Sequence, residues 1–153
     1  MRQISMAVLV SLVAVAVFTS VHSTADNPKD AEARTENKLV GTWKQVSGKF
    51  NGKEFRPPAG TTLIKHVTPT QFMFVDYDKE GKVTDAFGGP YTLKADKYEE
   101  TPVYGVGDFH GLKGKTQSFT WKVEGNKWHH SGTLSSGATI EEVWERVEKV
   151  EKK

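Results

Sequence analysis

The side chains able to do chemistry in this sequence lie next to one another rather than at catalytic spacing: Glu99-Glu100, Glu141-Glu142 and His129-His130 are adjacent pairs. In extended chain, neighbours point to opposite faces, so neither acid pair can flank one substrate bond and the histidine pair cannot chelate one metal ion. A metal site would need His66 or His110 brought in by folding, together with a carboxylate. There is no Gly-x-Ser-x-Gly, no His-Glu-x-x-His and no phosphate-binding glycine loop; Gly105-Val106-Gly107 has too few glycines and no helix after it. The absence of cysteine removes thiol nucleophiles and thiolate metal ligands. The expectation is a protein without catalytic residues, bound metal or cofactor. If it is an enzyme, its acid and base are dispersed, Glu142 with His129 or Tyr104.

The elements that must position these groups read as strands. Phe119, Trp121 and Val123 alternate with Ser118, Thr120 and Lys122, the period of two expected when one sheet face is buried and the other wet. Phe72 and Phe74 alternate with Met73, Val75 and Tyr77, a strand with both faces covered or with one face lining a cavity. Asn51-Gly52, Asp78-Lys79-Glu80-Gly81, Asp96-Lys97, Glu124-Gly125-Asn126 and Ser135-Ser136-Gly137 supply the turns, because Asn and Gly tolerate the positive φ of tight hairpins. Strands are predicted at about 40–50, 62–68, 71–77, 82–87, 90–95, 98–105, 116–124, 127–134 and 138–148. A meander of that length must stack or close, and closure removes the free edges that invite aggregation. The predicted fold is all-β: one antiparallel up-and-down β-barrel of about eight or nine strands. Gly88-Gly89-Pro90 is expected to make a bulge or corner, and Phe55 to Gly60 an open loop at one rim.

The N-terminus adds a destination. Arg2, the apolar run Ile4 to Phe18 and the small residues Ser23-Thr24-Ala25 predict a signal peptide over 1–25, too short to span a membrane and removed on export to the periplasm or the cell exterior. Residues 26–37 carry charged and turn-forming side chains without apolar periodicity, as a flexible tether does, and 38–150 form the single domain. Lys and Arg number 21 against 19 Asp and Glu, with the signs interspersed. Nucleic acid is therefore not an expected partner, since it calls for a dominant basic surface.

Gly41-Thr42-Trp43-Lys44 opens the first strand and Val143-Trp144-Glu145-Arg146 closes the last. Together they resemble the Gly-x-Trp start and near-terminal arginine of the calycin superfamily, the lipocalins and fatty-acid-binding proteins. The resemblance covers Leu39 to Val147, with its motifs at the two ends. The middle, His66-Val67-Thr68-Pro69-Thr70-Gln71-Phe72-Met73-Phe74, is similar to secreted lipocalin-like proteins of unassigned function. It implies a barrel whose tryptophan, Trp43, plugs one end while Arg146 packs across the indole. First and last strands of a closed meander are neighbours, so the two can meet in a cation–π contact of roughly 0.5–2 kcal/mol.

In the fatty-acid-binding branch the last strand reads Arg-x-Tyr-x-Arg, and its first two named residues hold the ligand's carboxylate. The matching positions here are Glu142, Trp144 and Arg146. A glutamate repels that carboxylate, so the resemblance stops short of fatty-acid binding. If the shared face of these three is interior, Glu142 needs a partner, and Arg146, His129 and Lys122 are the candidates; if it lies at the rim, Glu142 is simply solvated. Glu142, Trp144, Trp121, His129 and Tyr104 are the candidate ligand-binding residues, among aromatics that also suit core packing. The expected function is to bind or carry a small, largely apolar ligand. The rival is a cell-envelope interaction module with a barrel filled by side chains and a protein partner that the sequence does not specify.

Overall fold

The computed structural model describes residues 37–106 and 109–148. The expected signal peptide over 1–25 and the expected tether up to residue 36 lie outside the described residues. Among the described residues ten strands follow in chain order: β1 (Gly41–Phe50), β2 (Lys53–Phe55), β3 (Thr61–Val67), β4 (Gln71–Asp78), β5 (Val83–Leu93), β6 (Tyr98–Glu100), β7 (Tyr104–Val106), β8 (Gln117–Glu124), β9 (Lys127–Thr133) and β10 (Thr139–Arg146). A 3-10 turn, Phe109–Gly111, precedes β8. All pairings are antiparallel, and β1-β3-β4-β5-β6-β8-β9-β10 form a continuous sheet. It closes where β10 pairs with β1, in register from Trp43 opposite Arg146 to Phe50 opposite Ile140. The fold is a closed eight-stranded barrel, with β2 added to the end of β1 and β7 to β5.

Three local expectations change. The predicted strands 82–87 and 90–95 are one strand, β5, which runs straight through Gly88-Gly89-Pro90. These glycines provide close approach instead of a corner: a Cβ on Gly89 would lie 1.9 Å from the Thr101 carbonyl oxygen, and one on Gly88 2.5 Å from that of Phe72. The predicted strand 98–105 is broken into β6 and β7. Both pair with β5, but only β6 pairs onward with β8. Pro102, which has no N–H to donate, sits in the break between them. Finally, a short strand that was not predicted, β2, folds back on β1 and takes in Phe55, the first residue of the loop expected from Phe55 to Gly60.

The sheet bends at register shifts between Gln45 and Ser47 and between Asp76 and Tyr77. The first matters for the interior. An extra residue in β1 lets Gln45, opposite Trp144, and Gly48, opposite Glu142, both lie on the face of the inward-pointing residues of β10. Along β8, β9 and β10 the inward rows are Val123-Trp128-Trp144, Trp121-His130-Glu142 and Phe119-Gly132-Ile140. Phe72 is buried and Met73 exposed, so β4 has one interior and one wet face.

Aromatic rings fill one end of the barrel. Trp43, Trp128, Trp144 and Tyr98 are fully buried, and Trp43 meets Trp128 edge-on at 5.6 Å between centroids. Residues 37–40 cover this end: the Trp43 indole N–H donates to the Leu39 carbonyl at 2.7 Å, and Asn37 donates to the Tyr91 hydroxyl at 2.6 Å. The Arg146 guanidinium lies 4.1 Å from the Trp43 ring centroid and donates to the Val40 and Lys38 carbonyls at 2.9 and 2.6 Å.

Candidate functional site

Toward the opposite end the barrel holds a cavity of about 330 Å³. Phe74, Phe87, Phe119, Leu63 and Ile140 make its apolar wall; Phe50, Phe55, Leu112, Leu134 and Ser136 stand nearer the mouth. Gln45, Lys65, Glu100, His130, Glu142 and Trp144 bring polar atoms to the same space. Each reaches it because it occupies an inward position of its strand: Lys65 by alternation with exposed His66 on β3, Glu100 at the end of β6, His130 two residues after Trp128, and Glu142 two before Trp144.

Lys65 is buried among rings. Its ammonium nitrogen lies 5.2 Å from the Trp144 centroid, 5.4 Å from Trp128, 5.6 Å from Phe72 and 5.7 Å from Tyr98. The carboxylate it pairs with, Glu100, is 3.0 Å away and also accepts from the Tyr98 hydroxyl at 2.6 Å. Burial first, and then the Glu100 charge, hold the Tyr98 phenol well above its usual ionisation range. A buried ion pair is stable only when its remaining polar atoms are also engaged, and the aromatic faces and the tyrosine supply that environment here.

Glu142 forms the second group. It pairs with His130 and accepts from the Trp144 indole N–H at 3.0 Å. Burial would raise its pKa, but the charge and hydrogen bond of His130, with the more distant Lys65 charge and the Trp144 bond, outweigh that and lower it from 4.5 to about 2. Its side chain keeps 17% exposure and lines the cavity, whereas that of His130 is fully buried. The Nδ1 of His130 has no hydrogen-bond partner among the described residues.

Gln45 stands apart from both groups. It is 1% exposed, and neither its amide nitrogen nor its amide oxygen has a partner among the described residues. Leaving such an atom unsatisfied costs about 1–3 kcal/mol. This floor can orient the polar end of a bound molecule while the rings and aliphatic side chains hold the rest.

Of the five residues expected to touch ligand, the structure brings two, Glu142 and Trp144, to the cavity. Trp121 is on the inward row with His130, but its indole donates to the Lys94 carbonyl at 2.9 Å, beside the hairpin at the filled end and off the cavity wall. His129 points outward, 4.0 Å from Glu124. Tyr104 is 41% exposed and rests against the outer side of Gly88, because β7 lies beyond the closed sheet. None of the expected Glu142 partners pairs with it. Lys122 faces His129 across the outer surface and binds Glu124, and Arg146 is held over Trp43. With His129 and Tyr104 outside, the dispersed acid and base considered for an enzyme do not converge with Glu142.

Lys65 and Gln45 were not singled out in the sequence, and Glu100 and His130 entered only as members of adjacent pairs. Alternation contained part of the signal: Leu63, Lys65 and Val67 share a face, as do Trp128 and His130. The Lys65–Glu100 pair joins strands far apart in sequence, whereas His130 and Glu142 face each other across one hairpin, where the register decides which histidine is inside. Among the described residues no three His, Asp or Glu side chains are grouped to hold a metal ion.

No model of a known protein family matches the chain, and no curated protein matches it. Solved structures similar to it include a redesigned β-barrel, 19% identical with a TM-score of 0.45, the match covering 72% of this chain and 92% of that one. A second is a de novo designed fluorescence-activating β-barrel, 19% identical with a TM-score of 0.44, covering 77% of this chain and 98% of the design.

Proposed function

We propose that this protein is a lipocalin-like binder that carries a small, largely apolar ligand in its barrel. The cavity of about 330 Å³, apolar on its wall and polar on its floor, is the observation that supports this reading. Ligand sites combine a mostly apolar concave lining with a few placed polar groups in volumes of about 300–1,000 Å³, which puts this one at the small end. The stacking of Arg146 on Trp43 at the filled end supports the lipocalin-like part of the reading. A barrel wholly filled by side chains, as in the rival interaction module, does not fit such a cavity.

A fatty acid docked by its carboxylate is disfavoured, because Glu142 and Glu100 occupy the polar floor and the Lys65 ammonium is already paired. Native mass spectrometry of protein taken from its source, with tryptophan quenching by small apolar probes, tests the proposal. A stoichiometric small-molecule adduct or saturable quenching is expected; protein that carries nothing and ignores every probe rules it out. The same reading takes residues 1–25 as a removed export signal. The intact mass of envelope or secreted protein should then lack them, and retention of Met1 would contradict it.

A further inference from the structure

We propose that Gln45 is the head-group subsite of this cavity, and that the ligand is an apolar chain ended by an uncharged group that both donates and accepts hydrogen bonds, such as a primary carboxamide. The inference rests on the binding reading above and specifies it. A buried amide with both ends unsatisfied is rare in a folded protein, and each such group calls for an explanation. Gln45 is buried, lines the cavity, and has an Nε2 and an Oε1 without partners among the described residues. Its complement must accept from the first and donate to the second. A carboxamide does both in one plane, whereas a carboxylate only accepts and an ammonium only donates.

The rest of the floor points the same way. Lys65, Glu100 and Tyr98 engage one another, as do His130, Glu142 and Trp144. A ligand carboxylate would meet Glu142 and Glu100 with their cations already committed, and a ligand ammonium would meet Lys65. A neutral head meets neither conflict. Phe74, Phe87, Leu63 and Ile140 then cover the chain that follows it.

The experiment compares four probes of similar length, octanamide, octanoate, octylamine and 2-nonanone, by tryptophan fluorescence and calorimetry at pH 7 on the purified protein. Octanamide is expected to bind about tenfold more tightly than the others, the worth of one net hydrogen bond. Gln45→Leu should abolish that preference, so that octanamide and 2-nonanone bind this variant within about twofold of one another. Gln45→Met, which keeps the length of the side chain without the amide donor and acceptor, should abolish it too and guards against misfolding of the first variant. Equal binding of octanamide and 2-nonanone, a preference that survives in both variants, or tightest binding of either ion overturns the Gln45 assignment and leaves the carrier reading standing. Failure of all four probes to bind overturns both.

Discussion

The two ends of this barrel are made by the same eight strands and solve opposite problems. At the filled end Leu39, Trp43, Trp128 and Trp144 are fully buried, and residues 37–40 supply carbonyls for the Trp43 indole and the Arg146 guanidinium. At the other end Phe50 is 48% exposed, and Phe55 and Leu134 are only partly covered. Interiors packed to crystal-like density carry stability, whereas a void forfeits contacts on its lining. The contrast teaches that the barrel is anchored at one end, and that this anchorage lets the other end retain a cavity.

The largest effect expected from breaking the contrast is at the anchor. Trp43→Ala removes a buried indole, its bond to Leu39 and the ring under Arg146, and should cost about 5 kcal/mol, at the top of the range for such truncations. Urea unfolding measures it; a loss under about 2 kcal/mol would mean that the filled end is not the anchor.

Between the ends lies the polar layer. Lys65→Met strands the Glu100 carboxylate in the interior and should cost about 3–4 kcal/mol, most of it recovered in the double variant with Glu100→Leu. Absence of recovery would show that Lys65 acts through its ring contacts rather than through the pair. The next effect is acid-dependent. Glu142 titrates at about 2 when folded, against 4.5 ordinarily, so folding favours its ionised form. Its contribution is complete above about pH 4.5 and is lost as the pH falls toward 2, on the order of 3 kcal/mol. Unfolding midpoints of wild type and Glu142→Gln, compared between pH 6 and pH 2.5, should converge in acid; parallel curves would contradict the lowered pKa.

The anchor was legible in the sequence and the floor was not, for a physical reason. Trp43 and Arg146 sit at the chain ends of a meander, so closure alone makes them neighbours, and alternation put Glu142, Trp144 and Arg146 on one face. The strand pattern was likewise readable from Phe119-Thr120-Trp121 and from the glycine turns. Adjacent His129 and His130 look alike in composition, but only the second shares the face of Trp128, so choosing His129 for Glu142 missed the pair by one residue. Gly88-Gly89-Pro90 resembled a corner because glycine marks both bends and close approach, and only the Thr101 backbone lying on Gly89 separates the two. The inward placement of Gln45 and Gly48 depends on a bulge that leaves no mark in Lys44-Gln45-Val46-Ser47.

The smallest stability effect is expected at the mouth, where it tests the comparison most directly. Phe55 lies over Gly48, its ring 2.6 Å from where a Cβ would stand, so the glycine seats the ring that borders the cavity. Because that ring is only partly buried, Phe55→Ala should cost about 1 kcal/mol, far less than the truncation at Trp43. It also widens the mouth of the cavity, so a bound probe should leave faster while the unfolding midpoint scarcely moves. Stopped-flow release and urea unfolding read the two quantities separately. If Phe55→Ala lowered stability as far as Trp43→Ala and left the release rate unchanged, the mouth would belong to the same packed core as the anchor, and the cavity would have no independent entrance there.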